Sequence, residues 1–88
     1  MVAKATIVSE INTKVGGNHP LYRIGITNDP VERKKHWTGK EDTTYWKQWQ
    51  ADSLSDAQAI ETYFIQQKKM KGGEGGDVSA QTRWVYVF

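Results

Sequence analysis

The sequence predicts an α+β domain: a small, mainly antiparallel sheet of three to four strands with two helices, in the order ββαβαβ. Three observations carry this reading. Runs rich in β-branched and aromatic residues alternate with two segments that bear helix-start signatures. Clusters of glycine, asparagine and aspartate punctuate the chain between them. The 88 residues suffice for one two-layer core. Residues 1–88 are therefore read as a single domain.

Residues 2–9 read as a strand, since Thr6, Ile7 and Val8 are β-branched and no capping residue precedes them. Residues 12–20 are turn material around Gly16 and Gly17. A second strand over 21–27 completes a long-looped hairpin. On it Tyr22, Ile24 and Ile26 share an apolar face meant for the core. Leu21, Arg23, Gly25 and Thr27 share the other, where Gly25 would admit another backbone or a ligand. Asp29, Pro30 and Glu32 form a helix start of cap, first-turn proline and capping-box acid, and Gly39 should end that helix. After a polar loop over 40–43, residues 44–51 alternate around Tyr45, Trp46 and Trp49 as a third strand.

The second helix opens with Ser55 as N-cap, Gln58 as its capping-box partner and Leu54 as the staple residue. Ala57, Ala59, Ile60, Tyr63, Phe64 and Ile65 trace its broad apolar arc. Lys68, Lys69 and Lys71 fall in and beyond its last turn, where cations complement the helix dipole. The glycine-rich segment 72–77 breaks the helix and reads as a connector, because a phosphate-cradling loop would need a strand before it and a helix after it. A last strand over 82–88 ends the chain. If it lies at a sheet edge, it could pair with a second copy or a protein partner.

Composition removes several function classes. There is no cysteine, which excludes a disulfide framework, a thiolate nucleophile and a cysteine zinc site. With two histidines, one of them in the turn pair His19-Pro20, a structural zinc has too few ligands. Twelve basic and ten acidic residues give a net charge of +2, which permits a nucleic-acid partner without requiring one. No run approaches the roughly 20 apolar residues of a membrane span, and the first ten residues lack a signal-peptide core. A cytoplasmic domain with no membrane role is the expectation. Ten aromatic residues, four of them Trp, stand in for scarce aliphatic volume in the core.

Two charged residues break the pattern. Glu61 projects into the apolar arc of the second helix, where a carboxylate needs a cation, hydrogen bonds or a metal. It is either a rim residue paired with Arg or Lys, or a ligand for a hard divalent ion completed by water and phosphate. Arg33 sits early in the first helix, just beyond the strand that ends at Thr27. Its planar fork suits a phosphate, but it also belongs to a basic run with Lys34, Lys35 and Lys40 that could simply be solvated.

The stretch from Tyr22 to Arg33 resembles the second half of the GIY-YIG nuclease signature. A strand bearing Ile24-Gly25 enters a turn and then a helix, with Arg33 eight residues beyond the glycine. His36 resembles the His or Tyr that follows that arginine, and the segment 57–65 resembles the later helix whose glutamate, here Glu61, holds a divalent metal. The resemblance implies phosphodiester hydrolysis with magnesium or manganese, Arg33 stabilising the phosphate and Glu61 the metal. The tyrosine of that strand is replaced by Arg23, and Tyr22 points to the opposite face. No tyrosine occupies the first strand. Arg23, His36 or Tyr63 would then have to handle the proton or the developing charge.

Three functions follow as expectations. The first is a divergent metal-dependent endonuclease using Arg23, Arg33, His36 and Glu61. The second is a nucleic-acid-binding module without chemistry, in which Arg23, Arg33, Lys34, Lys35 and Lys47 contact phosphates and exposed rings stack on bases. The third is a protein-interaction module acting through the C-terminal strand.

Overall fold

The chain enters its fold as a helix, where a strand was expected. The computed structural model describes residues 1–72 and 79–88. In it α1 spans Lys4–Val15, β1 Arg23–Thr27, α2 Pro30–Thr38, β2 Lys47–Gln50, α3 Leu54–Gln66, β3 Lys71–Gly72 and β4 Trp84–Val87, with a 3-10 turn at His19–Leu21. The class is α+β. Among the described residues the order is αβαβαββ, with three helices and one four-stranded sheet ordered β2-β4-β1-β3. β4 runs antiparallel to both β1 and β2, and the short β3 lies parallel to β1.

Burial explains the first correction. Ile7, Ile11 and Val15 recur every four residues along α1 and are almost fully buried. Their β-branched side chains cost a helix at most about 0.7 kcal/mol each relative to Ala. Burying each yields about 1.5–3 kcal/mol, so the helical period prevails over the local preference for strand. No side chain caps the start at Ala3. At the other end Gly16 takes φ +57° and its N–H donates to Asn12 O at 3.0 Å. The hairpin expected over 2–27 is therefore absent.

α2 has the expected form, with Asp29 accepting from Glu32 N at 3.1 Å, Pro30 in the first turn and Gly39 at the C-cap. α3 starts two residues early. Ser53, and not Ser55, is the N-cap, accepting from Asp56 N at 3.1 Å, so Leu54 lies inside the helix. The helix closes before the lysines: Met70 N reaches back to Phe64 O at 3.0 Å, Lys69 adopts φ 62°, and Lys71 belongs to β3. Of the connector 72–77, Gly72 is also in β3, and the remainder lies outside the described residues.

The strand alternation separates two cores. Ile24 and Ile26 of β1, Trp49 of β2 and Val85 and Val87 of β4 face α1 and α3, joining Ile7, Ile11, Ile60 and Phe64. On the opposite face Tyr86 and Phe88 pack with Trp37 of α2 and Trp46. Gly25 pairs with Tyr86 in register, and a Cβ at Gly25 would overlap the phenol ring. The close approach expected at this glycine is thus made by the chain's own tyrosine. No helix among the described residues is long and apolar enough to cross a membrane.

Candidate functional site

The turn between β1 and α2 sets the geometry of the α2 face. Thr27 Oγ1 accepts from Asp29 N at 3.0 Å, and Thr82 Oγ1 donates to Asn28 Oδ1 at 2.6 Å. Thr27 and Thr82 are both fully buried, so this polar clip ties the approach to β4 to the start of α2. Trp37 is thereby held against the sheet, donating from Nε1 to Tyr86 Oη at 3.0 Å.

Arg23 belongs to this layer. Its guanidinium lies 4.5 Å from the Trp37 ring centroid, Nη1 donates to the Gly72 carbonyl, and Nη2 reaches Glu41 Oε2 at 2.9 Å. Its Nε is buried without a partner. The side chain is 21% exposed. It joins β1, β3 and the loop after α2, and that role occupies the fork that the sequence reading offered to a phosphate.

A groove of about 510 Å³ runs between α2 and β2, lined by Pro30, Val31, Lys34, Lys35, Thr38 and Gln48. Its polar groups divide simply. Thr38 donates its hydroxyl to Lys34 O at 2.7 Å, and Gln48 Oε1 accepts from Trp46 Nε1 at 2.9 Å. The Gln48 amide NH2 is left as a donor. Among the described residues the Lys34 ammonium has no partner, and Lys35 makes only an exposed contact to Glu32 at 3.5 Å. Such an exposed pair is worth under about 1 kcal/mol and yields readily to a competing anion.

The remaining candidates are dispersed. Arg33 and His36 border a separate depression on α2 with Asp29 and Glu32. Lys47 lies toward the α1 side, 3.5 Å from Glu10 and 5.4 Å from the Trp49 centroid. Glu10 also accepts from Trp49 Nε1 at 2.9 Å, which chiefly holds its pKa below the ordinary carboxylate value. Tyr63 is exposed on α3.

Glu61 stands apart from all of these. It is half-buried on α3, which covers the face of the sheet opposite α2. Burial alone raises its pKa. An arginine beside it would pull that pKa down, so Arg33 and Glu61 are not a charge pair. Among the described residues Glu61 has no hydrogen-bond or ion partner, which answers the rim-pair alternative in the negative. Nor do any three His, Asp or Glu side chains among the described residues converge as metal ligands, so none joins Glu61 in such a group.

Comparison with protein-family models, curated proteins and solved structures returns no match. Of the groove residues, Lys34 and Lys35 are legible in the sequence as part of the basic run. Thr38 and Gln48 were missed. Thr38 lies one helical turn beyond Lys34, a spacing that marks it as a neighbour on α2; Gln48 carries no such signal and reaches the groove only because β2 pairs with β4 beneath α2.

Proposed function

We propose that the domain binds nucleic acid through the α2–β2 groove and carries out no chemistry there. One observation supports this above the others: among the described residues, the unengaged polar groups lining the groove are the donors Lys34 Nζ and the Gln48 NH2. Lys35 Nζ adds a third donor, held only by its exposed 3.5 Å contact to Glu32. A phosphodiester backbone, rich in acceptors and negatively charged, complements that set. The net charge of +2 makes this a local feature and not a general basic surface.

The hydrolytic alternative requires Arg33 and Glu61 at one phosphate, and the geometry lends it no support. Pairing through the C-terminal strand requires an edge, and β4 is hydrogen-bonded on both sides.

Titration of labelled DNA and RNA oligonucleotides by fluorescence anisotropy tests the binding reading. Affinity should fall steeply with salt. A double variant, Lys34→Ala with Lys35→Ala, should reduce the slope of log affinity against log salt by about 1.5, as expected for two lost phosphate contacts. Both side chains are exposed, so the fold should persist. Absence of binding at low salt, or a double variant with the parent's slope, would refute the proposal.

A further inference from the structure

Trp46 differs in burial from Trp37 and Trp49. Trp37 and Trp49 are 2% and 4% exposed and serve as core. Trp46 is only partly buried, yet its ring is fixed. It stacks on Tyr86 at 4.5 Å between centroids with 8° between planes, and on Phe88 at 5.1 Å and 25°. Its indole N–H donates to Gln48, whose side chain also lines the groove. One side chain therefore links the edge of the ring to the anion-binding surface. The preceding residue, Tyr45, is 68% exposed. The loop that carries both rings is fastened to the groove wall by the 2.8 Å contact between the Thr38 and Thr43 hydroxyls.

From this we infer that the site takes single-stranded nucleic acid: unpaired bases stack on Tyr45 and Trp46 while Lys34 and Lys35 hold the adjoining phosphates. The inference rests on the nucleic-acid reading and adds strandedness to it. A duplex offers the lysines its phosphates, but its bases are already stacked and leave no free face for a side-chain ring. An unpaired base does leave one, and every base has such a face, so the contact tolerates any sequence. The indole is already held flat by Tyr86, Phe88 and Gln48, so little ordering remains to be done on binding.

The experiment compares three labelled probes on the full chain at about 50 mM salt. They are an oligothymidylate of about 12 nucleotides, an abasic strand of the same length and charge, and a duplex of that length. The oligothymidylate should bind about tenfold more tightly than the abasic strand or the duplex. Trp46→Leu should remove most of the roughly tenfold preference for oligothymidylate over the abasic strand. If Trp46→Leu fails to fold by circular dichroism, Tyr45→Ala carries the test, because that ring is exposed; it should cost oligothymidylate about threefold and the abasic strand nothing. Equal, salt-dependent binding of the abasic strand and the oligothymidylate overturns the stacking inference and leaves the groove reading intact. A duplex bound as tightly as the single strand also overturns it. If no probe binds, both readings fall.

Discussion

The two faces of the sheet are built from different materials. The face toward α1 and α3 is mostly aliphatic, with Ile7, Ile11, Ile24, Ile60, Val85 and Val87 around Phe64 and Trp49. Contacts there are non-directional, and the main requirement is volume at close packing. The face toward α2 is an aromatic layer of Trp37, Trp46, Tyr86 and Phe88, with Arg23 over Trp37. Trp37, Trp46 and Tyr86 carry polar tips that find partners here: Tyr86 holds Trp37, and Gln48 holds Trp46. The aliphatic face supplies bulk stability, and the aromatic face supplies orientation. That division places the proposed site where geometry is most tightly specified.

The largest effect should come from the aliphatic side. Phe64 is fully buried at its centre. Phe64→Ala should cost about 3–5 kcal/mol through lost burial and the cavity left behind. Urea denaturation reads this directly, and a cost below about 1.5 kcal/mol would mean that this face is loosely packed.

On the aromatic side, the sensitive position has no side chain at all. A methyl at Gly25 would overlap the Tyr86 ring, which is covered by Trp46 and bonded to Trp37 and so has little freedom to retreat. Gly25→Ala should destabilise by about 3 kcal/mol, the upper part of the range for overpacking. A neutral outcome would remove the contrast in rigidity between the two faces.

A smaller, directional effect follows for Tyr86→Phe. The substitution leaves the ring but removes the acceptor of the buried Trp37 N–H, at a cost of about 1–3 kcal/mol. A double-mutant cycle with Trp37→Phe should return a coupling of about 1 kcal/mol, since removing both partners leaves no orphaned group. Zero coupling would mean that the layer is held by ring packing alone.

The sequence revealed these faces unevenly. α2 was legible because Asp29, Pro30, Glu32 and Gly39 are local signals whose meaning does not depend on the rest of the fold. α1 was not, because Ala3 gives no cap and the run Thr6-Ile7-Val8 favours a strand locally. Its helical period pays off only once α3 is there to cover it. The start of α3 was ambiguous between two serines, and the choice of Ser53 rests on Asp56 N reaching it. In the site, the basic run on α2 was visible in the sequence, and the two-residue spacing of Trp46 and Gln48 puts them on one face of an extended segment; the pairing of β2 with β4 that sets this face beneath α2 is what no linear pattern encodes. Arg23 and Glu61 stand out in the sequence for their chemistry; the fold ties the first to Glu41, Gly72 and Trp37 and, among the described residues, gives the second no partner.

The subtlest contrast lies within the aliphatic side, where two titratable groups oppose each other. His19 packs on Phe64 and bonds Asn12 at 2.9 Å; burial, helped by the charge of Lys68, lowers its pKa from 6.5. The folded chain then binds fewer protons there than the unfolded chain, so its contribution is full above pH 6.5 and is lost as pH falls toward the folded value. Glu61 has the opposite sign. Burial raises its pKa above 4.5, so its contribution is greatest at or below that pH and declines as pH rises through the folded value. On acidification His19 removes stability while Glu61 restores part of it. His19→Asn should therefore lessen the acid loss, and Glu61→Gln should steepen it while raising stability at pH 7. Urea midpoints at pH 5, 6 and 7 separate the two. A loss of stability at pH 7 in Glu61→Gln would mean that the charged carboxylate makes a favourable contact, and the case against a liganding role for Glu61 would then have to be reopened.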